Sequence, residues 1–485
     1  MEVPKVEQWG IFEVSYKGPE KGNPFLDVEI MAEFTQKDRR LLIRGFYDGE
    51  GTYKIRFMPD NLGPWKYVIK SNIPELDGKS GLLECVDPSP ENHGPVKVRD
   101  AYHFEYADGQ PFLPVGTTCY AWIHQGEDLE RKTIETLKKS PFNKLRMCVF
   151  PKHYVFNSNE PIYYPFEGNI SDGWDYTRFN PKFFQHLEQR VMDLLNLSIQ
   201  ADIILFHPYD RWGYSKMGSE TNERYLKYIV ARLSAFRNVW WSLANEYDLM
   251  QSMTMDEWDR YFKIIVENDP YGHLRSIHNC RTLYDYSKPW VTHVSVQYQD
   301  LDLASKIKEW RKEFGKPIIV DECGYEGDIH RDWGNLPPEE VVRRFWVGYA
   351  SVAYVTHGET YWNREEILWW SKGGTLHGES PRRIEFLRKI MESIPYYALK
   401  PIDFKTGRAV GCYTEDNRYF LIYFGINRPR FRILDFLPEG SQYNVDIIDT
   451  WNMTIEQLGE RFVKGSKVDL PGKSYMALRI RRIEQ

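Results

Sequence analysis

The chain has 485 residues, enough for two to four domains and for cores of ordinary size without disulfide staples. Its 63 basic and 69 acidic residues leave a net charge of −6 with both signs scattered, so the electrostatic footprint of a nucleic-acid or anionic-membrane partner is missing. No apolar stretch is long enough to span a bilayer, and the opening Met1-Glu2-Val3-Pro4-Lys5 lacks the basic-then-apolar pattern of a signal peptide, so a cytoplasmic location is expected, with secretion the alternative if a signal has been removed.

Residues 1–97 read as strands and turns. Leu26, Val28, Ile30, Ala32 and Phe34 alternate with polar residues, as do Tyr53, Ile55 and Phe57. Period-two alternation means strands with one buried face. Asp48-Gly49-Glu50-Gly51 and Asn61-Leu62-Gly63-Pro64 are turn signals between them. The expectation is a small, immunoglobulin-like β-sandwich. Ser89-Pro90-Glu91-Asn92-His93-Gly94-Pro95 reads as a linker.

Residues 98–395 change pattern to short apolar runs separated by helical stretches. The runs are Phe112–Thr117, Lys144–Phe150, Ile203–His207, Val239–Ala244, Arg275–His278, His293–Gln297, Pro317–Asp321 and Ala353–His357. Asn180-Pro181 followed by Phe184, Leu187, Val191 and Leu194 combines an N-cap, a first-turn proline and an apolar face at helical spacing. Strands alternating with helices in this number predict an α/β fold, a (β/α)8 TIM barrel. A doubly wound open sheet is the rival, but no glycine-rich phosphate turn follows the first run. Residues 396–485 return to alternation at Tyr419–Phe424, Tyr443–Ile448 and Ser474–Ile480, predicting a small C-terminal β domain. The six cysteines, Cys85, Cys119, Cys148, Cys280, Cys323 and Cys412, form no Cys-x-x-Cys pair and are expected as reduced, buried thiols.

Barrel chemistry sits at the C-terminal ends of strands. The fourth run ends in Asn245-Glu246 and the seventh in Asp321-Glu322, with room between them for three helices and two strands. Two carboxylates at one barrel mouth are what glycosidic cleavage requires: one protonates the leaving oxygen, the other attacks the anomeric carbon or activates water. Side chains alternate along a strand, so only one of Asp321 and Glu322 is expected to face the lumen, and Glu322 is chosen. Between Lys152 and Asp175 lies a long connection rich in Tyr, Phe, Asn and Pro, and one of Tyr154, Tyr163, Tyr164 and Trp174 is expected to line the site.

Asn-Glu after strand four and Glu after strand seven resemble the signature of clan A glycoside hydrolases, of which the family 5 cellulase-type enzymes are the best known. The three-part layout resembles the apiosidase-like glycosidases more closely still. The resemblance covers nearly the whole chain. It implies a retaining hydrolase with Glu246 as acid/base, Glu322 as nucleophile, Asn245 on the sugar 2-hydroxyl and Arg146 keeping the nucleophile ionised. It also implies that His207 and His278 surround the reacting sugar and that Trp362 forms an aromatic floor, with Glu359 near by. The family 5 His-x-Tyr pattern is absent from strand six, where Val296-Gln297-Tyr298-Gln299 leaves open which of Gln297 and Tyr298 supports the nucleophile. The implied partner is a carbohydrate carrying an equatorial β-glycosidic or equivalent α-L-arabino-type bond. No metal or other cofactor is expected, and the oligomeric state is left open. Two other readings compete. A metal-dependent barrel hydrolase needs clustered ligands that Val115-Gly116-Thr117-Thr118-Cys119-Tyr120 lacks. A non-catalytic sugar-binding barrel would be marked by loss of a carboxylate, and both are present.

Overall fold

The computed structural model describes residues 3–404 and 409–484. Alternation in the first hundred residues becomes two sheets. Lys5–Glu7, Ser80–Val86, Gly63–Ser71, Ile30–Gln36 and Arg39–Arg44 form one, in that order across it, and Phe12–Lys17, Thr52–Phe57 and Phe46–Tyr47 form the other. Ile30, Ala32 and Phe34 meet Tyr53, Ile55 and Phe57 in a common core, with the Phe34 and Phe57 rings stacked at 4.0 Å. The alternation began too early: Asn23 caps a single helical turn, Pro24–Asp27, which leaves Leu26 exposed and Val28 outside the strand. Asn23-Pro24 is the same cap-and-proline signal as Asn180-Pro181.

The barrel is built from eight parallel strands: β1 Gly116–Thr118, β2 Lys144–Cys148, β3 Gln200–Phe206, β4 Val239–Ala244, β5 Arg275–Ser276, β6 Val294–Gln297, β7 Ile318–Glu322 and β8 Tyr354–His357. They run β5-β4-β3-β2-β1-β8-β7-β6, and a single bridge from His278 to Ser295 crosses the gap between β5 and β6. Helices α1 Glu127–Leu137, α2 Pro181–Asn196, α3 Ser219–Leu233, α4 Met255–Asn268, α5 Leu303–Phe314, α6 Pro338–Ala350 and α7 Ser380–Glu392 cover it. Asn180 caps α2 through Lys182 N, and Phe184, Leu187, Val191 and Leu194 are its buried face. The expected three helices between Glu246 and Glu322 are two, α4 and α5. Residues 279–293 connect β5 to β6 without a helix, and buried Tyr284 and Tyr286 fill the space instead.

The first run also divides. Pro114 interrupts it, so Pro111–Phe112 pairs with His103–Tyr106 and β1 starts only at Gly116. With Val96–Arg99 this makes a three-stranded sheet whose Phe104 ring lies against Trp240, His293 and Tyr354 at the barrel's N-terminal end. After the barrel, six strands form an antiparallel sheet in the order Leu399–Pro401, Val410–Thr414, Tyr419–Tyr423, Met476–Arg482, Tyr443–Asp449 and Thr454–Gln457. Tyr423 packs on Trp346 of α6, while Phe420, Ile422, Leu478 and Ile480 face a separate core. None of the described helices is long and apolar enough to cross a membrane.

The sandwich is fastened to the barrel by charge. Arg232 of α3, fully buried, donates to Asp48 (2.7 Å) and to Glu188 of α2, and Arg56 from the sandwich donates to Glu188 (2.9 Å) and to the Arg232 carbonyl (2.8 Å). Replacing Arg232 by Met leaves Glu188 with Arg56 and Asp48 with Lys54 (3.1 Å), and removes the cation that joins the two acids. Urea unfolding of that variant should show a loss of about 3–5 kcal/mol, the usual result of breaking a buried pair from one side.

Candidate active site

Glu246 follows β4 with φ 49°, in the left-handed region that a residue with a Cβ enters at a cost of order 1–3 kcal/mol. The flanking backbone holds it there: Asn245 N donates to Phe206 O (2.9 Å) and Tyr247 N to His278 O (3.0 Å). This turn directs the Glu246 carboxylate across the C-terminal mouth.

At the end of β7 the ladder shifts register. Val296 pairs with Val320, but Gln297 pairs with Glu322, so Asp321 is an extra residue. A bulge of this kind re-aims side chains. It overturns the expectation that only one of the two acids faces inward. Asp321 is fully buried among barrel side chains: Lys144 at 2.8 Å, Arg146 at 3.2 Å, Ser295 at 2.6 Å and Thr356 at 2.7 Å. Asp202 accepts from Lys144 (2.7 Å) and Arg146 (3.2 Å), which closes a buried quartet of two cations and two anions. Burial alone favours the neutral acid at Asp321, yet Lys144 and Arg146 hold it well below the usual carboxylate range.

Glu322 reaches the layer above. Its Oε1 accepts from the Tyr120 hydroxyl, and His278 Nε2 lies 3.6 Å from the same oxygen. Glu246 Oε2 accepts from the Tyr209 hydroxyl. Gln297 joins the two acids. With its amide nitrogen facing them, it donates to Glu322 Oε2 and Glu246 Oε1, each at 3.1 Å. The opposite orientation would aim a carbonyl oxygen at two carboxylates. Burial first, and then the Glu246 charge, push Glu322 up to about 7, while the Tyr120 bond, Lys152 and Arg146 act the other way. Two acids this close titrate as a unit, so the pair holds one proton into the neutral range.

Lys152 is the cation of this layer. It is buried, forms no ion pair among the described residues, and lies over the rings of Tyr120 (4.0 Å), Tyr209 (4.4 Å) and Trp370 (5.1 Å). It therefore sits on both phenols that hold the acids. Burial lowers its own pKa, and both glutamates oppose that.

The sequence-derived residues separate into those that converge here and those that do not. Asn245 accepts from Arg146 Nη2 at 3.2 Å. Arg146 lies beneath the site and pairs with Asp321 and Asp202 rather than with Glu322; its charge still favours ionised Glu322 as expected, but burial and the Glu246 charge outweigh it. His207 accepts a place at the end of β3, its Nε2 3.1 Å from Phe150 O, and burial lowers it to about 4. His278 is fully buried and lowered well below its usual range by burial and by Arg146, so both histidines are neutral. Between Gln297 and Tyr298 the choice falls on Gln297. Tyr298 turns out to Asp302 and packs on Trp310 of α5.

Glu359 departs from expectation, whereas the exposure of Trp362 leaves its ring open to a ligand. Trp362 is 54 % exposed, on the loop beyond the short strand Glu359–Thr360, whereas Trp370, 4 % exposed, packs on Tyr120. Glu359 is buried beside Glu326, its oxygens taken by the backbone N–H groups of His377 and Gly378, away from the acid pair. Of the four aromatics in the long connection, only Tyr154 stands at the site, 4.8 Å from the Tyr209 ring. Tyr163 packs on His186, and Tyr164 on Trp174. Sequence reasoning missed Tyr120, Tyr209, Lys152 and Trp370. Tyr120 and Tyr209 lie two or three residues past strand ends, and that position was the available signal. Cys280 was expected to be a reduced, buried thiol. It is only partly buried, and burial and the Glu246 carboxylate push it up to about 12.

Residues 99–398 match the family of apiosidase-like catalytic domains, and the chain belongs to that family. Residues 5–72 and 409–481 match two domains of unknown function, DUF5060 and DUF5605. No curated protein matches the sequence. Among solved structures, the chain is similar to a candidate glycoside hydrolase from Bacteroides vulgatus, with 41% identity over 99% of this chain and 100% of that one and a TM-score of 0.94. A glycoside hydrolase family 5 protein from the same species shares the fold at 17% identity, covering 81% of this chain and 94% of its own, with a TM-score of 0.68. By family and by structural similarity the chain is grouped with glycoside hydrolases of a clan A-like fold.

Lys152→Met removes the ammonium that lies over both phenols holding the acids. The pair's shared proton should then persist to higher pH, and Lys152→Arg should restore the original titration. Carboxylate 13C NMR titration reads this directly, and an unmoved midpoint in Lys152→Met would show that the acids do not feel the ammonium.

Proposed function

We propose that this apiosidase-like protein is a retaining glycoside hydrolase, with Glu246 as acid/base and Glu322 as nucleophile. The observation that carries the reading is the shared amide: one Gln297 nitrogen lies 3.1 Å from an oxygen of each glutamate. Those oxygens are therefore at most twice that distance apart. Direct attack needs carboxyl groups about 5–5.5 Å apart, whereas seating a water for inversion needs about 6.5–9.5 Å.

In the first step Glu322 attacks the anomeric carbon from one face while Glu246 gives its proton to the departing oxygen. In the second, Glu246 takes a proton from water, and the hydroxide displaces Glu322 from the glycosyl ester. Tyr120 and Gln297 donate hydrogen bonds to Glu322, which favour its anionic form and its departure. Asn245, fixed by Arg146, takes the sugar 2-hydroxyl, and neutral, buried His207 and His278 back the reacting subsite. Tyr154 offers an aromatic face beside it, backed by buried Trp370. The substrate class is an oligosaccharide or polysaccharide of plant or microbial origin with an equatorial β-glycosidic or α-L-arabino-type bond. The family name makes apiose-bearing glycans the first to screen.

The product anomer, followed by NMR from the first turnover, should have the configuration of the substrate; an inverted product would overturn the mechanism even with both glutamates essential. Glu322→Ala should abolish turnover and yield an inverted glycosyl azide when azide is added. Glu246→Ala should retain activity on aryl glycosides with good leaving groups and yield a retained azide.

The working form carries one proton on the pair. Activity should therefore fall as pH rises through about 7, where that proton is lost. A kcat/KM profile that stays flat to pH 9 would show that no group of the pair titrates there.

A further inference from the structure

Beyond the acid pair, a second buried cluster joins β7, β8 and the last barrel helix. Two short strands, Glu326–Gly327 and Glu359–Thr360, continue past β7 and β8 and pair in parallel, with Glu326 directly opposite Glu359. Both side chains are essentially inaccessible to solvent, and neither forms an ion pair with a lysine or arginine among the described residues. The chain leading into α7 wraps around them. His377 N and Gly378 N donate to Glu359, Glu379 N and Ser380 N donate to Glu326, and the Tyr361 hydroxyl adds a fifth donor at 2.9 Å. These donors and the helix end supply partial positive charge, which does not balance two buried carboxylates.

The third member is His357 at the end of β8. It is fully buried; its Nδ1 lies 3.0 Å from Thr117 Oγ1, and its Nε2 has no hydrogen-bond partner. Thr117 Oγ1 is itself fixed by Trp369 Nε1 at 2.9 Å. One donor atom from each of Glu326, His357 and Glu359 lies within 4.8 Å of the other two. The cluster thus brings together two buried carboxyl groups without a cationic partner among the described residues and an orphaned imidazole nitrogen, apart from the acid pair.

We propose that Glu326, His357 and Glu359 form a structural site for a divalent cation. A divalent ion neutralises both carboxylates and gives the imidazole a partner. One nitrogen and two oxygen donors, with no thiolate among them, favour zinc or manganese over calcium or magnesium. Thr117 fixes the far ring nitrogen, the arrangement that orients metal-bound histidines. Bonds of about 2.0–2.2 Å draw the three donors inward from their present spacing. The bound ion clips the β7 and β8 extensions to the start of α7, without entering the glycosidic chemistry.

The test uses the full chain, stripped with a chelator, then equilibrated with zinc or with manganese and desalted. Elemental analysis should find about one ion per chain, and the melting temperature should rise on reloading. Glu359→Gln and His357→Gln should each weaken binding by about tenfold or more. If either variant fails to fold, calorimetric titration of the stripped wild type decides the question alone. No retained ion and no thermal shift in the wild type would overturn the proposal and leave a shared proton as the neutraliser. Binding that survives both variants, or that is lost instead in Glu246→Gln, would place the ion elsewhere and overturn it equally.

Discussion

The active end of this barrel depends on four buried charges. Lys144, Arg146, Asp202 and Asp321 sum to zero, and each cation touches each anion. They come from β2, β3 and β7, and hydrogen bonds from Ser295 and Thr356 extend the network to β6 and β8. Removing any one member leaves a charge in a dry interior, which typically costs about 3–5 kcal/mol. The network therefore fixes the relative height of the strands whose ends carry the acids. Asp321 anchors β7 immediately below Glu322, and Arg146 reaches up to Asn245, immediately before Glu246. One ionic cluster thus positions both carboxylates without touching either.

That arrangement has an electrostatic consequence. Arg146 is already shared between two aspartates, so its field reaches Glu322 largely compensated. Burial and the neighbouring Glu246 charge then decide the outcome, and Glu322 rises to about 7. The stabilisation of the anion passes to the Tyr120 hydroxyl, and to the Gln297 amide and Lys152 ammonium that Glu322 shares with Glu246. A single proton resident between two acids suits a double displacement, because one acid must be charged to attack while the other is loaded to protonate.

Periodicity made the architecture legible in the sequence. Alternation at Ile30–Phe34 and Tyr53–Phe57 marked true strands, the Asn180-Pro181 cap marked α2, and the carboxylates of Glu246 and Glu322 fell at strand ends on one mouth. What escaped was local geometry. The bulge at Asp321 leaves no compositional trace, since it depends on how β6 and β7 pair. The missing helix between β5 and β6 was masked by apolar residues such as Tyr284 and Tyr286, which pack equally well from turns. Trp362 and Trp370 are indistinguishable as letters, and only the path of the chain after β8 decides which one meets Tyr120. Nothing in the sequence around Lys152 marks the rings of Tyr120, Tyr209 and Trp370 that close around it. Pairwise convergence of distant segments is the kind of information a one-dimensional pattern lacks.

The three-stranded sheet at the opposite end bears on the same chemistry. Phe104 covers the barrel's N-terminal end against Trp240, His293 and Tyr354, and Lys144 lies 5.7 Å from the Trp240 ring centre. Water entering from below would solvate Lys144 and Asp202 and weaken every interaction in the quartet, because charge pairs lose most of their strength in a high dielectric. The quartet in turn sets the height of β7 against β2 and hence the reach of Glu322 toward Gln297. A hydrophobic lid at one end of the barrel and an acid pair at the other are therefore coupled through the ionic layer between them.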